Sequence, residues 1–175
     1  MRDLGTLPGY DGAEARAINE EGQIAGNAWI RQGLLSRYRA ALFDNGTIRD
    51  LGTLPGLAQS SANDVNDQGQ VVGYSSNVNS IALYAFLHDG TRMLNLNDFL
   101  PVDSGWWLHS AESINNQGQI VGWGIHNGLF RAFLWSIVQP EDDTGTTVAA
   151  SPAQSAPGQQ VTITATVSAE QPHSE

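Results

Sequence analysis

One nine-residue stretch occurs three times in this chain. The copies are Ile18-Asn19-Glu20-Glu21-Gly22-Gln23-Ile24-Ala25-Gly26, Val65-Asn66-Asp67-Gln68-Gly69-Gln70-Val71-Val72-Gly73 and Ile114-Asn115-Asn116-Gln117-Gly118-Gln119-Ile120-Val121-Gly122. Their asparagines are spaced by 47 and then 49 residues. A period in this range marks tandem supersecondary units, and it constrains the fold more than any local motif. Two further elements recur in the same order. Asp3-Leu4-Gly5-Thr6-Leu7-Pro8-Gly9 returns intact as Asp50-Leu51-Gly52-Thr53-Leu54-Pro55-Gly56. Arg39-Ala40-Ala41-Leu42-Phe43 is answered by Tyr84-Ala85-Phe86-Leu87-His88 and Arg131-Ala132-Phe133-Leu134-Trp135.

Each unit reads as four short strands. Strand one ends in the Ile/Val-Asn pair, over 15–19, 62–66 and 111–115. The following x-x-Gly fits a tight turn with glycine in the left-handed position, and strand two follows at 23–26, 70–73 and 119–122. Strand three covers 39–43, 84–88 and 131–135. The turns Asp44-Asn45-Gly46 and Asp89-Gly90 lead into strand four at 47–51 and 91–96. The segments between these strands, 27–38, 74–83, 97–110 and 123–130, vary in length and read as surface loops where function would lie.

Apolar runs such as Ala132-Phe133-Leu134-Trp135 do not alternate, as expected of strands covered on both faces. Small sheets of this length stacked on one another point to an all-β chain and a partial β-propeller; the rival is a β-trefoil, which also has three units of about four strands. The repeats occupy 1–136, as units of about 10–54, 57–100 and 105–136. Residues 1–9 match the last strand of a preceding unit. Residues 137–146 are acidic and contain Pro and Gly, so they read as a linker. In 147–175 the run Val161-Thr162-Ile163-Thr164-Ala165-Thr166-Val167 alternates as a half-buried strand does, and one or two such strands make only part of a domain.

Composition narrows the functions. The net charge is −10, from 18 acidic residues against 8 basic ones, all arginine. Such a surface repels phosphate backbones and disfavours nucleic-acid binding. There are no cysteines, which excludes disulfides and thiolate metal sites. No apolar run approaches the roughly 18 residues of a membrane-spanning helix, and the first residues have no signal-peptide core.

The three co-linear elements resemble the bacterial extracellular HAF-repeat family over about residues 2–136. Gly105-Trp106-Trp107-Leu108, leading into Ala111-Glu112-Ser113-Ile114-Asn115, is similar to the last repeat of such proteins. The chain departs from that pattern at Phe43 and His88, where tryptophan is expected, and at Asn95-Leu96-Asn97 in place of Asp-Leu-Gly. The stretch from Val148 to Val167 resembles the start of a bacterial Ig-like domain. These resemblances imply a secreted or surface-attached bacterial protein and assign it no activity.

Site candidates are few. Asn19, Asn66 and Asn115 could line a polar ring, but asparagine in a repeated turn reads first as a turn residue. Asp64-Val65-Asn66-Asp67-Gln68-Gly69 superficially matches a calcium loop but has Ser75 at the position of the closing acid. The histidines 88, 109, 126 and 173 share no ligand spacing, and His88 reads as a packing substitution. No nucleophile elbow or His-Glu-x-x-His motif is present. The expectation is therefore a non-enzymatic module with no cofactor or metal, binding a cell-surface glycan or protein. Trp106 and Trp107, adjacent in a strand, point to opposite faces, so one can stack on a sugar ring. Trp29 is the third ligand-binding candidate. The other readings are a propeller part of a secreted glycan-active hydrolase and a structural spacer.

Overall fold

In each repeat the chain reverses at Asn-x-x-Gly, and the backbone shows why the residue types are fixed there. The computed structural model describes residues 1–33 and 35–136. Gly22, Gly69 and Gly118 have φ of 79°, 72° and 75°, a region nearly closed to residues with a Cβ. Their N–H groups donate to the carbonyls of Asn19, Asn66 and Asn115 at 3.1, 2.9 and 3.0 Å. Each asparagine Oδ1 accepts the N–H of the glutamine that starts the return, at 2.8, 3.0 and 2.9 Å. The side chain thus satisfies a turn donor that would otherwise face solvent.

These turns organise three antiparallel sheets, none of them closed. The first contains β1 (Gly12–Ile18), β2 (Ile24–Gln32), β3 (Leu35–Asp44) and β4 (Thr47–Asp50) in that order. The second contains β5 (Gln59–Val65), β6 (Val71–Ser76), β7 (Leu83–His88) and β8 (Met93–Asn95). The third has three strands, β9 (Trp106–Ile114), β10 (Ile120–His126) and β11 (Leu129–Trp135), with β11 at its edge. A short 3₁₀ turn, Leu96–Phe99, leads from the second sheet towards the third. Residues 1–11 carry no strand, so 1–9 do not form the strand expected of them. The expected linker and Ig-like segment, 137–175, lie outside the described residues.

The strands run further than the sequence pattern suggests. Residues 27–32 and 35–38, expected as loop, extend the β2–β3 hairpin in register from Asn27↔Ala40 to Gln32↔Leu35. Likewise β9 begins at Trp106, inside the expected 97–110 loop, and β10 and β11 take up most of 123–130. Trp29, Ile30 and Tyr38 are strand formers; the pattern missed them because their spacing differs from unit to unit.

The glycine ending each nine-residue motif has a different cause from the turn glycine. Gly26, Gly73 and Gly122 lie opposite a β-bulge in β1, β5 and β9. A Cβ on them would stand 2.0, 1.9 and 2.1 Å from the carbonyl oxygens of Glu14, Ser61 and Ser110. The extra residue of the bulge pushes that carbonyl towards the neighbouring strand, and only glycine leaves room for it.

Apolar residues pack between the sheets. Ala25, Ala40 and Leu42 of the first sheet meet Ala62, Val65, Val71 and Phe86 of the second, with Leu51 and Leu54 of the connecting segment between them. Val72, Ala85 and Leu87 of the second sheet meet Ala111, Ile114, Ile120 and Phe133 of the third, with Leu96 in the equivalent connector place. On the far side of the first sheet, Leu4, Leu7 and Tyr10 pack against Ala28, Ala41 and Phe43. The second copy of the Asp-Leu-Gly-Thr-Leu-Pro-Gly motif is therefore an apolar inter-sheet spacer, and the first copy covers the outer face of the first sheet. In both copies the aspartate forms a local turn, with Asp3 and Asp50 accepting the N–H of Gly5 and Gly52 at 2.9 and 2.8 Å.

Polar ladders cross the same interfaces. Asn19 Nδ2 donates to the Asn66 carbonyl at 2.8 Å, and Asn66 Nδ2 donates to the Asn115 carbonyl at 3.1 Å. The asparagines thus hold their own turns and also join neighbouring units. Asp64 and Asp67 act in these ladders too: Asp64 accepts the Ile114 N–H, and Asp67 accepts the Glu20 N–H.

Candidate functional site

The third sheet differs from the other two at a second β-bulge. Between Trp107 and Ser110, β9 carries one residue more than β10, so that His109 is unpaired in the register. Gly124 lies opposite, where a Cβ would stand 2.3 Å from the Trp107 carbonyl oxygen. Asn97 holds the distorted strand. Its Oδ1 accepts the Leu108 N–H at 2.7 Å and its Nδ2 donates to the Leu108 carbonyl at 2.9 Å. Asn97 occupies the place of glycine in the Asp-Leu-Gly motif, so this departure from the repeat builds the clamp. Asn95 takes the aspartate's capping role, accepting the Asn97 N–H at 3.1 Å.

The bulge re-aims β9 so that a row of rings forms along it. Tyr84 and Trp107 have centroids 5.4 Å apart, Trp107 and His109 5.5 Å, His109 and Trp123 5.0 Å, and Trp123 and Phe130 5.8 Å. All four contacts are tilted, within the usual range for aromatic pairs. Trp107 is 40% exposed while its Nε1 donates to the Leu83 carbonyl at 3.0 Å, which locks the ring in place. Trp123 Nε1 donates to Glu112 Oε1 at 3.1 Å. Phe130 is also exposed.

His109 is 8% exposed, and neither ring nitrogen has a hydrogen-bond partner among the described residues. Burial pushes its pKa below the usual histidine value, because charging the ring there would strip it of water. His109 therefore stays neutral near pH 7, with polar edges set among rings. His88 is also pushed down, first by burial and then by Arg49, and its Nδ1 accepts the Gly90 N–H at 3.1 Å. That bond explains why histidine serves in place of an aromatic at the end of strand three.

The structure divides the three tryptophans expected to bind ligand. Trp106 and Trp107 do take opposite roles. Trp106, half-buried, stacks on His126 at 4.5 Å and 11° and packs edge-on to Phe133, against the inter-sheet core. Trp107 lies in the exposed row. Trp29 belongs to β2 of the first sheet, where it covers Gly12 and has the Arg31 guanidinium 5.8 Å from its ring centre. The row's other members, Tyr84, His109, Trp123 and Phe130, were not singled out from sequence. Gly122-Trp123-Gly124 is the signal that could have found them: a second glycine two residues after the motif marks a second bulge opposite.

Among the described residues no group of three or more His, Cys, Asp or Glu is placed to hold a metal ion. Comparison with family models, with curated proteins and with solved structures returns no match to this chain.

Proposed function

We propose that this chain is a non-enzymatic binding module built as a partial β-propeller, which takes a glycan on the aromatic row of its third sheet. The observation that carries the reading is Trp107, a large ring left exposed yet locked by its Nε1 bond, beside a bulge that the other two units lack. A fixed flat apolar surface suits the C–H face of a sugar, and it costs little side-chain entropy on binding. The Glu112 carboxylate beside Trp123 supplies an acceptor for hydroxyls at the edge of the row.

Each sheet's strands pair only within their own unit, which favours a propeller over a trefoil, where strands of different units share a barrel. The repeat resemblance supports an extracellular or surface-attached setting, with the acidic surface keeping the module away from nucleic acid.

Glycan-array screening of the full chain, followed by calorimetry on the best ligand, tests this. Trp107→Ala is expected to weaken binding about tenfold, in line with an aromatic contact worth about 0.5–1.5 kcal/mol. Trp29→Ala should leave it unchanged. Absence of binding to every glycan, or equal binding by Trp107→Ala, removes the reading.

A further inference from the structure

The three described sheets have two outer faces, and each leaves exposed residues whose counterparts are covered between the sheets. Leu42 and Leu87 are 3% and 5% exposed, but Leu134, at the same place in the third unit, is 65% exposed. Ala25 and Val72 are fully covered, whereas Val121 is 44% exposed. At the other end the pattern is mirrored. Val65 and Ile114, 4% and 6% exposed, press on the preceding sheet, and their counterpart Ile18 is 68% exposed. Inside the chain these two sets form one contact: Val65 packs with Ala25 and Leu42, and Ile114 with Val72 and Leu87. The open head (Val121, Leu134) and the open tail (Ile18) are thus the two halves of an interface already made twice.

We propose that a second copy of this chain docks its tail on that open head, continuing the stack through the same contacts. The inference does not rest on the glycan reading and competes with it, since the β10–β11 register puts Trp123 and Phe130 on the same face as Val121 and Leu134.

The polar groups at the two ends match as well. Within the chain each bulge residue reaches its counterpart one unit on: Arg16 donates to Asn63 at 2.9 Å, and Asn63 Nδ2 lies 3.5 Å from the Glu112 carboxylate. One step further would bring Glu112 to Arg16 of the second copy, a pair of opposite charges. Similarly, the Glu20 N–H donates to Asp67 and the Asp67 N–H to Asn116. The Asn116 N–H would then meet the Glu20 carboxylate of the second copy. Asn115 Nδ2, bonded here only to Gln119, would reach the second copy's Asn19 carbonyl, as its two counterparts do.

The third sheet also lacks a fourth strand among the described residues. Met1-Arg2-Asp3-Leu4 stands at the positions of Ile48-Arg49-Asp50-Leu51, the residues that pair with β3 and lead into the connector. A cavity of about 230 Å³ lies along β11, lined by residues that include Leu100, Trp106 and Trp135. Met1 of the second copy would enter there, as Ile48 covers Phe43. An exposed strand edge and an apolar face then close together.

A head-to-tail interface differs from a two-fold one in how it can be blocked. Sedimentation velocity and light scattering on the full chain, from micromolar concentration upwards, are expected to show a mass of two or more copies. Leu134→Asp and Ile18→Asp should each give the single-chain mass with an unchanged circular dichroism spectrum, since both side chains are exposed in one copy. A 1:1 mixture of the two variants should recover a two-chain species, because the first keeps an intact tail and the second an intact head. A wild type that stays single at all concentrations, an assembly that survives either substitution, or a mixture that stays single overturns the proposal.

Discussion

The second and third sheets are built from the same repeat and meet different surroundings. Val72, Ala85 and Leu87 are buried, while Val121, Ala132 and Leu134, their counterparts one unit later, face outwards. The residue types barely change between the two sets. Burial here is decided by whether another sheet follows, not by the hydrophobicity of the strand. The opposite faces behave alike, since Phe86 and Phe133 are both buried against the preceding sheet. Each unit is therefore two-sided by composition, and its place in the stack decides which sides are used.

The largest expected effect tests that contrast directly. Leu87→Ala should cost about 2–5 kcal/mol, the range for emptying a close-packed site. Leu134→Ala, with the same chemistry, should change stability by no more than about 0.5 kcal/mol, as exposed positions do. Urea unfolding, at a concentration where the chain is single, measures both; equal costs would break the comparison.

A smaller difference is expected at the turns. Asn66 is buried and bonds both its own turn and the next unit's Asn115 carbonyl, whereas Asn115 is exposed and bonds only within its turn. Asn66→Ala should cost about 1–3 kcal/mol through the buried groups it leaves unpaired, and Asn115→Ala about 1 kcal/mol less. The same unfolding measurement sharpens the comparison by isolating the inter-unit bond.

The smallest effect is a pH dependence. His88 and His109 both have folded pKa values pushed below the unfolded value of about 6.5, chiefly by burial. Each contributes stability that is full above about pH 6.5 and is lost as the pH falls through the folded pKa, because the unfolded chain binds the proton first. The urea midpoint should therefore decline below about pH 6.5, and His109→Gln should remove the third sheet's share of that decline.

Much of the frame was legible from residue types. Asn-x-x-Gly located the first hairpin of each unit, and the glycines took the positive φ the turn demands. The strand cores fell where the apolar runs lay. The aromatic row was harder to see, because its members come from β7, β9, β10 and β11, and only Trp107 and His109 lie close together in sequence. Extending β2 and β3 to the hairpin tip also escaped the pattern, since length-variable segments read as loops even when strand formers fill them.

By itself, the sequence determined the repeat, its turns and the antiparallel order within each sheet. These depend on short-range backbone geometry, in which a few glycines and asparagines leave little choice. Only the tertiary structure decided which sheet faces stay open, that the turn asparagines also join neighbouring units, and that His109 is held neutral among rings by a second bulge. Those features arise from contacts between residues far apart in the chain, and identical local sequence is compatible with either outcome.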